Sequence, residues 1–349
     1  MISNNINSQI KSKVLFIYPL RSSFVVYDIE CLKKSADVVE FPFGLKKGAH
    51  LFLRMLQLTL WLIKNCRNSK AIYIWFADSH GLIPVIVGRI LGIKTITFIG
   101  GYDAVAIPNL KYGAHLNAIR SYLVRIVCKL SDVLIPSSNY TGNQLIQTLK
   151  LPDLQNKIQV AYPGIDATKF RINSNQTRSS IIYVAGGSSE NRMLLKGVDR
   201  FLDLAKTMSE TQFYLVGIQD QAFDWAQRNA SENIEILPNA TLEKLNELFN
   251  LSAAICLFSR NEAFGMVVIE GMLCGCVPFI LNNTGTAEIL SKENAPGLIY
   301  SDFNKVEIAK DLNKVLNSHT IEVAEEMRKY VIKNFANSNR CDLVSSFVN

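Results

Sequence analysis

The chain has 349 residues and a mass of 39.1 kDa. This length is greater than one domain with a single hydrophobic core usually has, so it favours two domains of about 150 to 200 residues each. Hydrophobic residues make up 48% and charged residues 19% of the chain, a composition that excludes fibrous and disordered proteins. The net charge of +7 is unevenly placed, since residues 1–165 contain 19 Lys and Arg against 8 Asp and Glu and the remainder contains 18 against 22. The basic half therefore predicts contact with an anionic partner: a lipid surface, a phosphorylated acceptor or a nucleic acid.

The N-terminal half alternates short apolar strands with helical segments. We expect strands at residues 14–20, 37–43, 71–76, 94–99, 132–137 and 157–162. Helix-like spacing of apolar residues occurs at 51–64, 81–91, 112–130 and 141–149. Because continuous apolar strands are buried on both faces, as in a parallel sheet, this order predicts a doubly wound α/β domain.

A Pro-Gly turn and a polar tract at 163–180 predict the linker to a second domain. Strands are expected there at 181–186, 212–217, 233–237, 253–258, 277–281 and 297–300, and helices at 197–208, 242–249 and 266–275. The sequence thus predicts two Rossmann-like domains, residues 1–165 and 166–336, that face each other across a central cleft. The mostly helical end of the chain could bring residues 337–349 back onto the first domain.

Two features bear on location. The longest apolar runs are interrupted by Arg89 and Glu270 before they reach the roughly 18 residues that a membrane span needs. The polar N-terminus lacks the features of a secretory signal, so we expect a cytoplasmic protein.

The seven cysteines form no CxxC pair, and Cys274 and Cys276 lie in an apolar run, so reduced thiols and no structural metal are expected.

Two glutamates, Glu262 and Glu270, flank the predicted start of a helix at Gly265. The unpaired N–H groups of a helix start can hold phosphate or sugar oxygens. If the residues between them were all helical, the two glutamates would be about 12 Å apart along the axis. That separation is too long for the acid/base pair of a glycosidase and suits a grip on two ends of one extended ligand. Alternatively Glu262 caps the helix and Glu270 is solvated, but the apolar neighbours of Glu270 favour a buried carboxylate that needs hydrogen-bond donors.

These residues, together with Phe264, Gly265 and the segment that follows, resemble the E-x7-E signature of the retaining glycosyltransferases of family 4, which have the GT-B fold. Four other segments resemble the same family in the same order: residues 131–146, 160–170, 194–206 and 286–290. The resemblance implies a GT-B fold of two Rossmann-like domains with parallel sheets facing a central cleft. It also implies transfer of a sugar from a nucleotide-sugar donor, with retention of configuration and without a metal or other cofactor.

The resemblance implies a role for each matching residue. Glu262 would contact hydroxyls of the donor sugar, and Glu270 would bind the hydroxyls of the ribose. The backbone amides of Phe264, Gly265 and Met266 would hold the sugar and the adjacent phosphate.

The leaving diphosphate would be neutralised by Lys196, which could equally be a surface lysine before a helix. Relatives have an arginine directly after the glycine that ends the first strand of this domain, whereas here Gly187 is followed by Ser188. Arg192 could supply that cation, because a guanidinium suits a diphosphate, or it could be a solvated loop residue.

The group that faces the reacting carbon departs from the family pattern. Many relatives have a histidine after the strand at 94–99, where this chain has Gly100 and Gly101. The glycines would let the backbone approach the ligand, and Asp103 could face the sugar instead. Asp103 could also be a turn residue that hydrogen-bonds its own backbone.

Gly101 and three further residues are candidates for the acceptor side of the cleft. His80 follows a strand at the edge where open α/β sheets bind ligands, although Asp78 and Ser79 beside it could simply cap a helix. Arg21 and Ser22 follow the first strand, where relatives often have a Gly-Gly loop.

The apolar stretch at 51–64 is framed by basic side chains: Lys46, Lys47, Arg54, Lys64, Arg67 and Lys70. It is either an interfacial helix on anionic lipid or an ordinary packing helix.

These patterns predict a glycosyltransferase with a glycan or lipid-linked acceptor in cell-surface polysaccharide synthesis, in peripheral contact with the inner face of the membrane. A GT-B nucleotide-sugar epimerase and a catalytically silent nucleotide-sugar-binding protein remain as alternatives. A dinucleotide oxidoreductase is disfavoured because no G-x-G-x-x-G follows the first strand. No nucleic-acid-binding module is evident. The sequence leaves open the base, the sugar and the acceptor.

Overall fold

The computed structural model describes residues 11–44, 48–336 and 339–348, so Lys46 and Lys47 lie outside the described residues. The first half of the chain forms strands β1 (Ser12–Tyr18), β2 (Ala36–Pro42), β3 (Ser69–Trp75), β4 (Lys94–Ile99) and β5 (Val133–Pro136). Its helices are α1 (Ser23–Ser35), α2 (Ala49–Asn65), α3 (Leu82–Leu91), α4 (Ala118–Leu130) and α5 (Asn139–Leu149). The five strands form one parallel sheet in the order β2-β1-β3-β4-β5.

The second half forms strands β6 (Ser180–Gly187), β7 (Gln212–Ile218), β8 (Ile234–Leu237), β9 (Ser252–Leu257), β10 (Val277–Leu281) and β11 (Leu298–Tyr300). Its helices are α6 (Glu190–Leu195), α7 (Val198–Thr207), α8 (Asp220–Asn229), α9 (Leu242–Leu251), α10 (Met266–Leu273), α11 (Lys305–Ser318), α12 (Ile321–Val331) and α13 (Asn339–Ser346). The six strands form a second parallel sheet in the order β11-β10-β9-β6-β7-β8. The predicted pair of Rossmann-like α/β units is therefore confirmed.

The N-terminal sheet is covered on both faces because its side chains alternate between two cores. Leu15 and Ile17 of β1 join a core that contains buried residues of α2, α3 and α4. Val14 and Phe16 point to the other face, into a core with α1 and with Val344 of α13. Burial on both faces is the reason that these strands are continuously apolar.

The C-terminal helix α13 packs against α1 through a buried ion pair. The guanidinium of Arg340 donates to both carboxylate oxygens of Asp28 at 2.5 and 2.8 Å, and the Trp75 indole donates to the same carboxylate at 2.9 Å. The Tyr73 hydroxyl donates to the carbonyl of Val344 at 2.6 Å. The exact domain boundaries at 165 and 336 stay a prediction.

Several local predictions differ from the structure. Residues 157–162 are not a strand, because their pairing with β5 is a single bridge between Leu134 and Ile158. Helix α4 begins at Ala118 rather than near residue 112, because the Asn117 side chain caps it and Gly113 has φ of +112°. Helices α1, α6 and α8 were not predicted.

The expectation of seven reduced thiols is wrong for two of them. A disulfide joins Cys31 of α1 to Cys341 of α13, whereas the other five cysteines are free and buried. Since disulfides are rare in reducing compartments, the predicted cytoplasmic location loses the support that free thiols would have given it.

Replacing Asp28 with Asn should lower the free energy of unfolding by about 3 to 5 kcal/mol, because Arg340 would remain buried without a counter-charge. Urea unfolding at neutral pH measures this difference. Glu247→Gln is the matched control, since the Lys244–Glu247 pair is exposed and should contribute less than about 1 kcal/mol. Equal effects of the two substitutions would contradict the role given to the buried pair.

Candidate functional site

A cavity of about 610 Å³ lies between the two sheets, where the carboxyl ends of strands from both domains meet. Open α/β sheets bind ligands at this edge. Eight of the residues predicted for the site line this cavity: Gly101, Arg192, Lys196, Glu262, Phe264, Gly265, Met266 and Glu270. Four others do not line it: Arg21, Ser22, His80 and Asp103.

Lys196 and Glu262 form an ion pair in the wall of the cavity. The ammonium Nζ of Lys196 donates to Oε2 of Glu262 at 2.5 Å, and the two side chains are 16% and 14% exposed. Lys196 follows α6 directly, and Glu262 lies in the loop between β9 and α10. From the sequence, Lys196 was expected to contact the diphosphate and Glu262 the sugar hydroxyls. In the structure the two side chains are paired, so a bound ligand would contact both of them at the same place.

Two glycines shape the backbone around this pair. Gly197 has φ of +71°, and a Cβ there would lie 2.1 Å from the carbonyl oxygen of Phe258. Gly265 has φ of +90° and precedes the first residue of α10. The expected separation of about 12 Å between Glu262 and Glu270 assumed a continuous helix between them. In the structure the helix begins only after Gly265, whose backbone is left-handed, so that assumption does not hold. Gly265 also leaves the first amides of α10, at Met266 and Val267, free of intrahelical acceptors beside the cavity.

Glu270 is a buried carboxylate on α10. Burial raises its pKa to about 7 from its usual value near 4.5. No hydrogen bond or ion pair reaches its carboxylate from the residues that the structure describes. Such a group needs donors from a ligand, and paired hydroxyls would supply them.

Arg192 supplies a second cation to the cavity. Its guanidinium carbon lies 5.0 Å from the centre of the Tyr112 ring, which belongs to the N-terminal half of the chain. Within the described ranges no carboxylate pairs with it. Arg192 and Lys196 therefore offer two positive charges to a ligand, opposed by Glu262 and by Glu270 when that group is ionised.

The loop that carries Glu262 is held against the N-terminal sheet by the start of α5. The Ser138 hydroxyl donates to the Ala263 carbonyl at 2.5 Å. The backbone amides of Asn139 and Tyr140 donate to the carboxylate of Glu288 at 3.0 and 2.7 Å. A carboxylate at a helix N-terminus is favoured by the helix dipole, so these contacts join the two halves of the chain next to Ser137 and Ala263, which line the cavity.

The proposed catalytic position of Asp103 is not supported by its geometry. Its carboxylate accepts hydrogen bonds from the backbone amides of Ala77, Gly100 and Gly101 at 2.9 to 3.0 Å. The side chain is buried, and burial raises its pKa to about 6 against the effect of these amides. Asp103 is thus the turn residue of the alternative interpretation, and it shapes the glycine loop rather than facing a sugar.

The predicted acceptor residues other than Gly101 do not line this cavity, although His80 lines an adjoining cavity that shares Phe76 and Tyr102 with it. His80 is buried and donates from Nε2 to the Trp75 carbonyl at 2.7 Å, and desolvation lowers its pKa. Arg21 is exposed and pairs with Glu40 at 3.3 Å. Ser22 precedes α1, and its neighbour Ser23 reaches the cavity instead.

Sequence reasoning missed other residues of the cavity. Ser137 lines it, and its buried hydroxyl has no partner among the described residues. Thr286 also has a buried hydroxyl without a partner there, close to Gly265. Ser137 follows a strand of the first sheet, which was a usable signal, whereas nothing in the pattern identified Tyr112 or Asn261.

No group of three or more His, Cys, Asp or Glu side chains that could hold a metal ion occurs in residues 11–44, 48–336 and 339–348. The expectation that the protein needs no metal stays a prediction.

Residues 165–335 match the family model described as glycosyl transferases group 1. The match covers 171 of the 349 residues and lies in the C-terminal half of the chain. An uncharacterized glycosyltransferase of Methanocaldococcus jannaschii is 24% identical to the chain over 282 residues, which are 78% of this chain and 71% of that protein.

Solved structures are similar in fold to almost the whole chain. A glycosyltransferase from Rickettsia africae has a TM-score of 0.74 at 16% identity, covering 97% of this chain and 99% of that one. An Anabaena protein in complex with UDP and glucose has a TM-score of 0.68 at 15% identity, covering 96% and 98%. The GT-B fold expected from the sequence is therefore confirmed.

The raised pKa of Glu270 predicts a measurable effect of pH on stability. Ionising Glu270 in the ligand-free fold should cost about 3 kcal/mol at pH 8, a cost that disappears as the pH falls through 7 towards 4.5. The stability of Glu270→Gln minus that of the wild type should therefore fall by about 2 to 3 kcal/mol between pH 8 and pH 5. Urea unfolding at both pH values gives this difference, and a difference independent of pH would contradict the prediction.

Proposed function

We propose that the protein is a retaining glycosyltransferase of family 4. It moves a sugar from a nucleotide-sugar donor to a glycan or lipid-linked acceptor in cell-surface polysaccharide synthesis. One observation carries the proposal. Lys196, Arg192, Glu262 and Glu270 line a single cavity at the start of α10, in a chain whose C-terminal half matches the group 1 glycosyltransferases.

The cavity offers a complementary group for each part of a nucleotide sugar. Hydroxyls of the ribose donate to the unpartnered carboxylate of Glu270. The diphosphate lies against Arg192, Lys196 and the free amides that begin α10. Glu262, held by Lys196, accepts hydrogen bonds from hydroxyls of the sugar. The likeness in fold to the Anabaena protein that binds UDP and glucose supports this class of donor.

In the reaction, the bond between the anomeric carbon and the phosphate oxygen breaks, and the electron pair leaves with the nucleoside diphosphate. The acceptor hydroxyl forms the new bond to that carbon, and its proton passes to the departing phosphate oxygen. Negative charge grows on the leaving diphosphate, where Lys196 and Arg192 stabilise it. With these cations in place, we propose that the reaction proceeds without a metal. The catalytic residues are Glu262 and Lys196, and Asp103 is no longer among them.

A screen of UDP-, GDP- and ADP-sugars by thermal unfolding should identify the donor. A ligand present at about 100 times its dissociation constant should add about 2.7 kcal/mol to the free energy of unfolding, because it binds only the folded state. One base should stand out. If none of these nucleotide sugars raises the melting temperature, the proposal is wrong.

Replacing Lys196 with Met should slow release of the nucleoside diphosphate from the donor by about 100- to 1,000-fold, because one preorganised charge at the leaving group is lost. Lys206→Met is the matched control, since Lys206 is exposed on α7 of the same domain and should leave the rate unchanged. Circular dichroism and melting temperature would check that both variants are folded.

Wild-type protein that binds the donor but neither transfers nor hydrolyses it would instead indicate a silent binding protein. Full conversion of the sugar without an acceptor would indicate an epimerase.

A further inference from the structure

The helices α2, α3 and α4 lie side by side on one face of the N-terminal sheet and expose large apolar side chains to solvent. On α2 and α3 these include Phe52, Leu56, Leu60, Ile63, Ile86 and Ile90. Ile119 and Tyr122 extend the same surface on α4, and Ile90 and Ile119 are each 75% exposed. We call the surface formed by these eight side chains the outer face.

Helix α2 is apolar on two opposite sides. Leu58 and Leu62 are fully buried against the sheet. Residues 52, 56, 60 and 63 form a second stripe on the outside, at the spacing of one helix face. A surface helix of a water-soluble domain normally presents polar residues on that side. The outer stripe therefore contributes nothing to the core. Its exposure to water is unfavourable and would be relieved by contact with another apolar surface.

The charge around the outer face has one sign. Residues 41–131 contain 12 Lys and Arg and only two acids, Asp78 and Asp103. Asp78 pairs with Arg120, and Asp103 is buried on backbone amides, so neither offsets the other cations. Helices α2, α3 and α4 contain no Asp or Glu at all.

Exposed cations border the apolar stripe. Lys64, Arg67 and Arg89 are all exposed and form no ion pair with any residue in the described part of the chain. An apolar surface rimmed by free cations is complementary to an anionic bilayer, with the apolar side chains at the acyl boundary and the cations among the headgroups.

A crevice between the ends of α2 and α3 continues this apolar surface inward. Its volume is about 700 Å³, and its walls include Ile63, Val87 and Ile90, with Arg67 at the same opening. An apolar crevice beside a cation has the chemistry to take an acyl chain with its anionic headgroup. None of the helices among the described residues is long and apolar enough to cross a membrane, so the contact is peripheral.

A second cavity connects the outer face to the site. It has a volume of about 1250 Å³ and shares Phe76 and Tyr102 with the cavity that holds Glu262. It is also lined by Leu51 of α2 and by Ile119 of α4, which belongs to the outer face. An amphiphilic acceptor held in a membrane would reach the donor by this route.

We propose that the outer face docks on an anionic lipid surface and that the acceptor is a lipid-linked molecule taken from that surface through the second cavity. The docking stands on the outer face alone, whereas the choice of acceptor rests on the proposed glycosyltransferase function. Docking of this kind would place the protein at the inner face of the cell membrane.

Cosedimentation of the full chain with vesicles tests the docking. Binding should be strong with phosphatidylcholine and phosphatidylglycerol at low salt, and much weaker with phosphatidylcholine alone or at high salt. The double variant Leu60→Ser/Ile90→Ser should bind the anionic vesicles at least about tenfold more weakly, since two buried aliphatic side chains are lost. Val306→Ser is the matched control, because Val306 is 68% exposed on α11 in the other half of the chain.

The other outcomes are equally informative. Absence of binding to anionic vesicles would overturn the docking. A dimer in light scattering that the double variant abolishes, without vesicle binding, would show that a second copy covers the face, and would likewise overturn it.

The choice of acceptor is tested by following labelled sugar from the donor into vesicles that carry a membrane lipid extract. Label should enter the lipid phase with the wild type and with Val306→Ser, and far less with the double variant. Release of the nucleoside diphosphate without vesicles should be the same for all three proteins. Label found only in water-soluble products would overturn the lipid-linked acceptor, whereas no release of nucleoside diphosphate by any protein would contradict the proposed function itself.

Discussion

The cavity depends on the contacts between the two halves of the chain at the start of α5, which meets the loop after β9 and the segment after β10. The hydroxyl of Ser138 holds the carbonyl of Ala263 in the loop after β9, and the amides of Asn139 and Tyr140 hold the carboxylate of Glu288 in the segment after β10. The loop that Ser138 holds also carries Glu262, and α10 begins three residues after Ala263 with Gly265 as its cap. A helix dipole and a capping serine thus fix the side of the cleft on which the candidate donor groups lie.

The charged groups inside the cavity lower the stability of the ligand-free fold, because one of them, Glu270, is buried. Glu270 is buried without a donor in the described structure, and its raised pKa expresses the free energy that ionisation costs there. Lys196 and Glu262 satisfy each other, while Arg192 lies over the ring of Tyr112 and pairs with no carboxylate of the described residues. A ligand with hydroxyls at one end and phosphates in the middle would supply the donors that Glu270 lacks and the anion that Arg192 lacks. Groups that are unfavourable without a ligand would in this way add to its affinity.

Much of the fold could be predicted from the sequence, because strands buried on both faces leave continuous apolar runs and parallel order follows from the alternation of strands and helices. The grouping of Glu262, Gly265 and Glu270 in one cavity could be predicted because these residues are close in sequence and share one helix start. The opposite wall was not. Asp103 and His80 have the residue types of a catalytic site, yet their side chains are used by backbone groups, and the direction of a side chain is set by tertiary packing. The proposed membrane contact could be predicted only in part, because the pattern at residues 51–64 could not show which side of α2 faces water.

The most direct test is the structure of the protein with the nucleotide sugar that stabilises it most. We expect the ribose hydroxyls within hydrogen-bond distance of Glu270, the diphosphate between Arg192 and Lys196 at the start of α10, and the sugar against Glu262. A nucleotide bound elsewhere, or bound in this cavity with its phosphates away from both cations, would contradict the proposed site.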